Sequence, residues 1–412
     1  MRYQAQEHIL AASLTCVKDD STTLAPERIV PPATIPCFQP MIGEREIEAA
    51  TAVLRSGWLT TGPKAGEFEQ NFAAFMGGEV EAVAVNSATA GLHLAAEACG
   101  IGPGDEVLVP TLTFTATASI VRYLGADVVL VDVDDTRCID LEQAERRLTP
   151  RCKAIIPVHF GGYPCDMPKV LAFARSYGLK VIEDAAHAMP ASRDGRLIGA
   201  WQSDACVFSF YACKPITTGE GGMVVTRDAK VAARMRVMRT HGLDRDAFDR
   251  FRTVGAAWAY DVVAPGFKYN LTDIAAAIGI VQLERATTLQ AARQLAAERY
   301  LELLADLPID CPPPAPPGGL HSWHMFPISL HKHARVGRDD LIAWLAARGI
   351  GTSVHYRPLH EMSYWKQRQR NVTDEFPVAS RYFAGAVTLP LFPSITHAQI
   401  ERIVAAVREM LE

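Results

Sequence analysis

The stretch "SFYACKPITTGEGG" runs from Ser209 to Gly222 and contains one lysine, Lys214, with Glu220 as the only other charged residue. Apolar runs flank it, "ACVFSF" before and "GGMVVT" after, and both are typical of buried strands. A single loop lysine usually lies at the surface with its ammonium group in water. A lysine held between two buried strands is instead a candidate for a lowered pKa, because desolvation disfavours its charged form.

The chain before this stretch alternates short apolar runs with segments of helical length and composition. The runs are "AVAVN" (82–86), "EVLVP" (106–110), "VVLVD" (128–132), "AIIPV" (154–158) and "LKVIED" (179–184). Such alternation predicts crossover units, and therefore an α/β fold with a mostly parallel sheet and helices on both faces. After Tyr269 the pattern predicts one long helix or two joined helices.

The sequence predicts three parts: an N-terminal arm at 1–34, a large domain at 35–290 and a smaller α+β domain at 291–412. The arm mixes charge and proline without sustained periodicity. The proline cluster "CPPPAPPGG" at 311–319 marks a break in the helical pattern. With 412 residues, of which 49% are hydrophobic, the chain is long enough to bury a substantial core.

Charge and cysteine content argue against several classes of partner and site. The formal net charge is −5 without a basic tract, which argues against nucleic acid and anionic membranes as partners. Nine cysteines without a CxxC pair fit neither a disulfide framework nor a zinc site, so we expect no metal and reduced thiols. The early apolar run "ILAASL" is too short for a membrane span and follows no basic segment, so we expect a cytoplasmic protein.

Ligands of an open parallel sheet lie beyond the carboxyl ends of its strands, and three candidate sets follow strands there. "NSATAG" places Ser87 at a strand-to-helix turn, where free N–H groups offer a phosphate site, although Ser87 also suits a simple helix cap. "EDAAHA" places Asp184 at a strand end with His187 three residues later, although an aspartate there is often a turn residue. The third set is Lys214, with Ser209 before it.

A phosphate cradle, a buried carboxylate and an amine together predict a pyridoxal phosphate site. The amine would bind the aldehyde, the carboxylate would keep the ring nitrogen protonated, and the helix end would bind the phosphate. Nucleotide sites are less favoured, because no GxGxxG follows the first strand and no GxxxxGK[ST] occurs. "GEGG" at 219–222 follows the lysine and leads into a strand, so it is interpreted as a turn that lets backbone approach closely.

Several motifs in order resemble the DegT/DnrJ/EryC1/StrS family of pyridoxal-phosphate sugar aminotransferases, from about Ile35 to the C-terminus. They are the lysine stretch, "EDAAHA", "VPTLTFTATA", "NSATAGLHLA", "RSGWLTTGPK" and "PGFKYNLTDIAAAIG". The resemblance implies the fold-type-I architecture of aspartate aminotransferase. "HGLDRDAFDR", "PGFKYNLTDI", "HSWHMF" and "GIGTSVHYRPLH" are similar to the branch that makes UDP-4-amino-4-deoxy-L-arabinose. Many relatives have "NYR" where this chain has "KYN", so Lys268 and Asn270 follow that branch.

The resemblance also implies roles for individual residues. Lys214 would carry the cofactor and later move the proton, Asp184 would pair with the ring nitrogen, and Phe114 would lie against the ring. His187 would lie near the ring without an assigned acid or base role. The phosphate would be held by Ser87, Ala88, Thr89 and Ser209 of the same chain and by Asn270 of a second subunit, which implies a homodimer with shared sites.

The implied substrates are glutamate as amino donor and a keto sugar carried by a nucleotide diphosphate. Candidate groups for the sugar nucleotide, by position only, are Lys64, His324, His355, Tyr356 and Arg357. Two alternatives stay open: a sugar dehydratase of the same fold, and a regulatory protein that keeps the cofactor without turnover. Relatives of the dehydratase kind carry histidine where Lys214 stands, which argues against the first.

Overall fold

The structure is a computed structural model that describes residues 34–244, 260–368 and 375–412. The predicted arm therefore lies outside the described residues except for Thr34, and so does most of "HGLDRDAFDR". Within the described residues no helix is long and apolar enough to cross a membrane.

Twelve strands occur in the described residues. In chain order they are β1 (Glu81–Val85), β2 (Glu106–Pro110), β3 (Asp127–Val131), β4 (Cys152–Ile155), β5 (Lys180–Asp184), β6 (Ser192–Arg193), β7 (Arg196–Leu197), β8 (Ala205–Ser209), β9 (Gly222–Thr226), β10 (Ile309–Asp310), β11 (Phe326–Leu330) and β12 (Ala386–Leu389). Seven of them form the large sheet, in the order β1, β9, β8, β5, β4, β2, β3. Only β9 pairs antiparallel to its neighbours, and the remaining neighbours pair in parallel.

Thirteen α-helices occur in the described residues. They are α1 (Glu44–Ser56), α2 (Pro63–Phe75), α3 (Ala88–Ala98), α4 (Ala116–Tyr123), α5 (Leu141–Arg146), α6 (Met167–Tyr177), α7 (Ala229–Met238), α8 (Asp273–Glu284), α9 (Ala286–Leu304), α10 (Arg338–Ala347), α11 (Ser363–Lys366), α12 (Pro377–Gly385) and α13 (His397–Leu411). Two separate apolar clusters cover the two faces of the large sheet. Helices α2, α6 and α8 contribute to one, and α3, α4 and α7 contribute to the other.

The contact of α3 with the sheet depends on a glycine. A Cβ atom at Gly91 would lie 2.8 Å from Val207 Cγ1 and 2.9 Å from Val224 Cγ2. Because both side chains belong to the buried strands β8 and β9, only a residue without a side chain lets the helix lie this close. The amino end of α3 is thereby held beside the strands that flank Lys214.

Helix α2 begins on a carboxylate from another helix. Asp273, the first residue of α8, is buried and accepts hydrogen bonds from the backbone N–H groups of Gly62 at 2.7 Å, Lys64 at 3.1 Å and Ala65 at 3.0 Å. These N–H groups have no partner within the helix, so the carboxylate satisfies three of them at once. The contact fixes the turn before α2 to the start of α8.

The C-terminal part of the chain forms a second, smaller sheet, in the order β10, β11, β12, with all pairs antiparallel. An apolar cluster packs this sheet against α10, α13 and the second half of α9. Ile35 belongs to the same cluster, and its backbone pairs with Ile350.

The sequence predictions for the strands and helices are confirmed, with shifts at the ends. "VVLVD" is displaced by one residue, and the strand in "AIIPV" begins earlier and ends at Ile155. The helical segment after Tyr269 is two helices joined at Arg285. The division at 290 and 291 falls inside α9 and stays a prediction.

Candidate active site

Lys214 lies in a loop that two paired strands close. Ser209 at the end of β8 is the register partner of Gly222 at the start of β9, and Phe210 N donates to Gly221 O at 2.9 Å. Inside the loop the N–H of Lys214 donates to the carbonyl oxygen of Tyr211 at 2.9 Å. Burial lowers the pKa of the Lys214 amine, and the nearby Cys213 thiol and Asp184 carboxylate oppose part of that shift. A lowered pKa makes the neutral amine more available.

Asp184 ends strand β5, the neighbour of β8, and its side chain is buried. Its Oδ2 accepts a hydrogen bond from Thr117 Oγ1 at 2.7 Å, and its Oδ1 accepts one from the backbone N–H of Ala186 at 3.1 Å. A carboxylate offers about four lone-pair positions, so these two bonds leave room for another donor. Asp184 therefore suits the binding of a protonated ring nitrogen.

Ser87 is the N-cap of α3, and its hydroxyl accepts a hydrogen bond from Ala90 N at 3.1 Å. The capping role considered for this serine is thus present. The N–H groups of Ala88 and Thr89, in the first turn of α3, have no hydrogen bond within the described residues. Gly222 lies against this turn, since a Cβ atom there would be 2.8 Å from Ala88 N and 2.9 Å from Phe208 O. Free N–H groups at a helix amino end are suited to an anion such as a phosphate.

Ser209 lies at the carboxyl end of β8, and its buried hydroxyl accepts a hydrogen bond from Tyr211 N at 3.3 Å. The hydroxyl proton remains available for another acceptor. Ser209 pairs with Gly222, whose backbone touches the first turn of α3. The structure thus places Ser209 near the first turn of α3, which is the other predicted part of the phosphate site.

His187 is buried three residues after Asp184, and its tautomer follows from its two partners. Gly161 N donates to His187 Nδ1 at 3.2 Å, so Nδ1 is unprotonated and the proton lies on Nε2. His187 Nε2 then donates to the hydroxyl oxygen of Tyr356 at 3.2 Å. The Tyr356 hydroxyl therefore keeps its own proton for another partner.

Two further predicted histidines lie around this pair. The His324 ring centroid lies 4.6 Å from that of His187, with the ring planes tilted by 37°. The buried Nδ1 of His324 has no hydrogen-bond partner in the described residues. His355 Nδ1 contacts Thr388 Oγ1 at 2.8 Å. Burial depresses the pKa values of all three imidazoles, and the charge of Lys214 lowers them further, to about 4 for His355. The imidazoles are neutral at pH 7, and all lie within electrostatic range of the lysine.

Phe114 follows β2, and 56% of it is exposed. Its ring centroid lies 5.9 Å from that of Tyr356, at an interplanar angle of 51°. An exposed aromatic ring beside a half-buried tyrosine offers a flat surface for a planar ligand. Phe114 thus borders the same group of residues as His187.

Three predicted residues lie elsewhere or are engaged otherwise. The Lys64 amine pairs with Glu67 at 2.7 Å on the exposed face of α2, and the exposed Arg357 donates to the carbonyl oxygen of Glu361 at 3.0 Å. Asn270 pairs through its backbone with Val85 at the end of β1, while its side chain donates to Thr61 Oγ1 at 2.7 Å. The backbone of Asn270 therefore lies near the phosphate cradle of its own chain, because Val85 is two residues from Ser87. Its assignment to the phosphate of a second subunit stays a prediction.

Sequence reasoning missed two groups that hold the site in place. Thr117 binds Asp184, and it lies in the quoted motif "VPTLTFTATA" three residues after Phe114, so its place after a buried strand was an available signal. The N–H of Gly161 sets the tautomer of His187, and no side-chain pattern reveals a backbone donor. Its left-handed conformation, with φ of 65°, fits glycine.

Comparison with known proteins adds the family. The DegT/DnrJ/EryC1/StrS aminotransferase family matches residues 40–408. The chain belongs to this family. It is 42% identical over 381 residues to the spore coat polysaccharide biosynthesis protein SpsC of Bacillus subtilis (strain 168), covering 92% of this chain and 97% of that protein.

Solved structures give the same result. The aminotransferase TlmJ from Streptoalloteichus hindustanus has a TM-score of 0.83 and 34% identity, with 92% of this chain and 98% of that chain covered. The sugar aminotransferase Spr1654 from Streptococcus pneumoniae, named as putative and solved in its PMP-form, has a TM-score of 0.85 and 31% identity, with 91% and 98% covered.

The predicted enzyme class and fold class of this aminotransferase are therefore confirmed. It is a pyridoxal-phosphate-dependent transaminase with the fold-type-I architecture. Among the described residues no group of three or more histidine, cysteine, aspartate or glutamate side chains could hold a metal ion. The eight cysteines in those residues are free thiols, of which three are buried and five half-buried.

Proposed function

We propose that this aminotransferase moves an amino group from glutamate to a nucleotide-linked keto sugar, with a UDP-4-keto-pentose as the favoured type. The product would be an amino sugar for lipopolysaccharide, another glycan or an antibiotic. The observation that carries the proposal is the position of Lys214, in the loop after β8, relative to Asp184, a buried carboxylate at the end of the neighbouring strand β5. The two groups are close enough for the charge of Asp184 to act on the pKa of the lysine amine. SpsC, whose name places it in polysaccharide biosynthesis, supports the sugar as acceptor.

The residues present fit pyridoxal phosphate at both of its charged ends. Asp184 would accept the protonated ring nitrogen on the lone pairs that Thr117 and Ala186 leave free. The first turn of α3 and the Ser209 hydroxyl would hold the phosphate, and Gly222 leaves the backbone of that turn accessible. Phe114 would lie against the ring. When bound, the cofactor supplies an electron-accepting ring that stabilises negative charge at the carbon losing a proton.

Lys214 would move that proton. Burial lowers the pKa of its amine, so a larger fraction of Nζ carries a free lone pair than in a solvent-exposed lysine. Nζ would accept the proton from the Cα atom of glutamate and return a proton to the sugar carbon in the second half-reaction. The neutral histidines around it add no positive charge that would compete for the cofactor phosphate.

Tyr356 would position the sugar. Its hydroxyl oxygen accepts from His187 Nε2, so its own proton is free for an oxygen of the substrate. Burial raises the pKa of this hydroxyl, with Asp184 and Cys213 adding to the shift, so Tyr356 acts as a neutral donor. His355, next in the chain, and the unpartnered Nδ1 of His324 are further candidates for substrate contacts. Lys64 and Arg357 would have to leave their present carboxylate and carbonyl partners to bind the diphosphate.

We also propose a homodimer with shared sites. Several large apolar side chains are at least 45% exposed, on α1 and the residues flanking it and in the segment 260–263, namely Ile42, Ile47, Leu54, Leu59, Tyr260, Val262 and Val263. Apolar exposure of this extent is typical of a surface that a partner covers. Closed twofold symmetry would give each site the same contribution from the neighbouring subunit.

A half-reaction assay tests the transaminase step. Glutamate should bleach the absorbance of the bound cofactor and release one equivalent of 2-oxoglutarate per site. A panel of keto-sugar nucleotides should then restore the absorbance, with UDP-4-keto-pentose fastest. A dehydratase would release water from a sugar without consuming glutamate, and a regulatory protein would bind the cofactor with neither reaction. Either result would contradict the proposal.

A further inference from the structure

A large cavity lies outside the site described above and shares no lining residue with it. Its volume is about 1180 Å³. Four segments form its walls: the loop 134–137 after β3, residues 310–311 at the end of β10, residues 329–338 from the end of β11 to the start of α10, and helix α12. We call it the Arg137 cavity.

Arg137 is the most unusual residue of this wall. It is 7% exposed, and its guanidinium carbon lies 4.6 Å from the centroid of the Tyr382 ring. In residues 34–244, 260–368 and 375–412, no carboxylate lies within 4.0 Å of it. A buried guanidinium without a counter-charge is costly, because desolvation penalises its charge. Arg137 therefore has no anionic partner in the described part of the chain, and a bound anion could supply one.

The other charges of the cavity leave a positive surplus. Arginine and lysine contribute five side chains to the lining, and aspartate contributes three. Two of these carboxylates already have partners, since Asp135 pairs with Arg381 at 3.0 Å and Asp310 pairs with His331 at 3.1 Å. Lys332, another lining residue, has no ion pair within the described part of the chain.

We propose that the Arg137 cavity binds a small phosphorylated molecule, whose phosphate pairs with the Arg137 guanidinium. The planar guanidinium donates two parallel hydrogen bonds to phosphate oxygens. Arg338, another lining residue, pairs with Asp339 at 2.8 Å, whereas the lining cations Arg137 and Lys332 have no ion pair in the described residues. A phosphate monoester carries about −1.5 to −2 charges at pH 7, so it suits these two cations better than a single carboxylate does. The volume leaves room for the remainder of such a molecule. This binding does not depend on the proposed sugar substrate.

Tyr382 connects this cavity to the active site. The Arg137 guanidinium lies over the Tyr382 ring, and the Tyr382 hydroxyl donates to the carbonyl oxygen of His355 at 2.9 Å. His355 precedes Tyr356, which contacts His187. A phosphate drawn to Arg137 thus acts on the ring that holds the segment 353–357, and its binding restrains that segment.

Titration calorimetry on the holoenzyme tests the binding, with inorganic pyrophosphate, inorganic phosphate and succinate as probes at constant ionic strength. Pyrophosphate should bind saturably, and Arg137→Gln should weaken this binding at least tenfold. Arg299→Gln, the same change at the surface of α9, is the matched control and should leave binding unchanged. Pyrophosphate could also bind at the proposed site for the sugar diphosphate. Only the part of the pyrophosphate binding that Arg137→Gln removes is therefore assigned to the Arg137 cavity.

Lys332→Glu keeps the proposal falsifiable if Arg137→Gln does not fold. It reverses an exposed charge of the same wall and should weaken pyrophosphate binding about tenfold. Equal pyrophosphate affinity in the wild type and in every folded variant would overturn the site, and so would the absence of binding. Tighter binding of succinate than of pyrophosphate would overturn the phosphate assignment.

Hydrogen–deuterium exchange tests the connection through Tyr382 without using activity. Pyrophosphate should slow exchange at the backbone amides of 353–357 in the wild type. Tyr382→Phe keeps the ring beneath Arg137 but removes the bond to His355, so binding should persist while this protection is lost. Equal protection in Tyr382→Phe would show that the coupling does not run through this hydroxyl.

Discussion

Thr117 Oγ1 donates a hydrogen bond of 2.7 Å to Asp184 Oδ2 and so joins the first turn of α4 to the end of β5. Thr117 in turn lies 2.8 Å from the hydroxyl of Thr113, and all three side chains are buried. A carboxylate held by fixed donors keeps its orientation without help from water. Substituting either partner of this contact should reduce turnover, and the loss should be larger for Asp184 than for Thr117.

Asp184→Asn should keep the fold and much of the cofactor but lose at least about 10²-fold in turnover, because a neutral amide does not hold the ring nitrogen protonated. Thr117→Val should cost roughly tenfold, since the carboxylate stays but loses one hydrogen bond. Circular dichroism checks the fold and steady-state kinetics measure the loss. Near-normal turnover of Asp184→Asn would make this aspartate a turn residue only.

Lys214 should be the residue that carries the cofactor covalently. Borohydride treatment followed by peptide mapping should place the reduced adduct on the peptide containing Lys214, because the amine with the burial-lowered pKa forms the bond most readily. Lys214→Ala should give no adduct. An adduct on Lys268, whose amine binds Asn270, would contradict the assignment.

Inactive variants of two different sites should complement each other if sites are shared between subunits. Lys214→Ala is mixed with Asn270→Trp, whose indole should block the phosphate site of the neighbouring subunit if Asn270 reaches it. One site of a mixed dimer then receives both defects and the other neither, so activity should return under subunit exchange. If exchange is demonstrated and no activity returns, or if a fully active monomer sediments, shared sites are disproved. The backbone pairing of Asn270 with Val85 in its own chain makes this test necessary.

Gly222→Ala should destabilise the protein and weaken cofactor binding. The added Cβ would lie 2.8 Å from Ala88 N and 2.9 Å from Phe208 O, both backbone atoms that cannot rotate away. We expect the free energy of unfolding to fall by about 1–3 kcal/mol. Gly66→Ala on α2 is the control, because no atom lies within 4 Å of its added Cβ, and it should stabilise by about 0.5–1 kcal/mol. Urea unfolding and cofactor titration measure both effects, and equal behaviour of the two variants would refute the close contact.

The buried His321 should make stability fall in acid. Burial lowers its pKa to about 3, with the charge of Arg137 adding to the shift, whereas an unfolded histidine titrates near ~6.5. Below that value the unfolded chain binds the proton that the folded chain refuses, so this contribution to stability is complete above pH ~6.5 and is lost as the pH falls toward 3.

Urea unfolding at several pH values between 7 and 4 measures this effect. The free energy of unfolding should fall by about 1.4 kcal/mol per pH unit for this proton alone. His321→Gln should reduce the slope by that amount, and an unchanged slope would contradict the prediction. His333→Gln changes an exposed histidine and serves as the control.

The fold followed from patterns that are local in sequence. Alternation of apolar runs such as "EVLVP" with helical segments predicts crossover units, and the bounds of β2 match that run. The antiparallel direction of β9 was not predicted, because an apolar run has no direction of its own. Its pairing with both β8 and β1 depends on tertiary contacts.

The site residues could be predicted from the sequence where the chemistry requires one residue type. The contacts that hold those residues in place could not be predicted. Lys214 and Asp184 follow from the need for an amine and a carboxylate at strand ends. The bond from Thr117 to Asp184 joins residues 67 positions apart, and the Gly161 donor to His187 is a backbone group. The place of Thr117 after a buried strand is a signal in the sequence, but no pattern links it to Asp184. A backbone donor leaves no pattern at all, since its partner is set only after the sheet has formed.

The pairing of Ser209 with Gly222 closes the Lys214 loop at its base, and this limits which part of the site moves during turnover. Displacing the loop would require the end of a ladder in the middle of the sheet to open, which belongs to the costly, near-global class of opening motions. Around Tyr356 the described residues show an isolated pairing of Ser353 with Thr388 in place of a ladder. We therefore expect Lys214 to keep its position during the reaction. The segment around Tyr356 should be the part that adjusts to sugars of different shape.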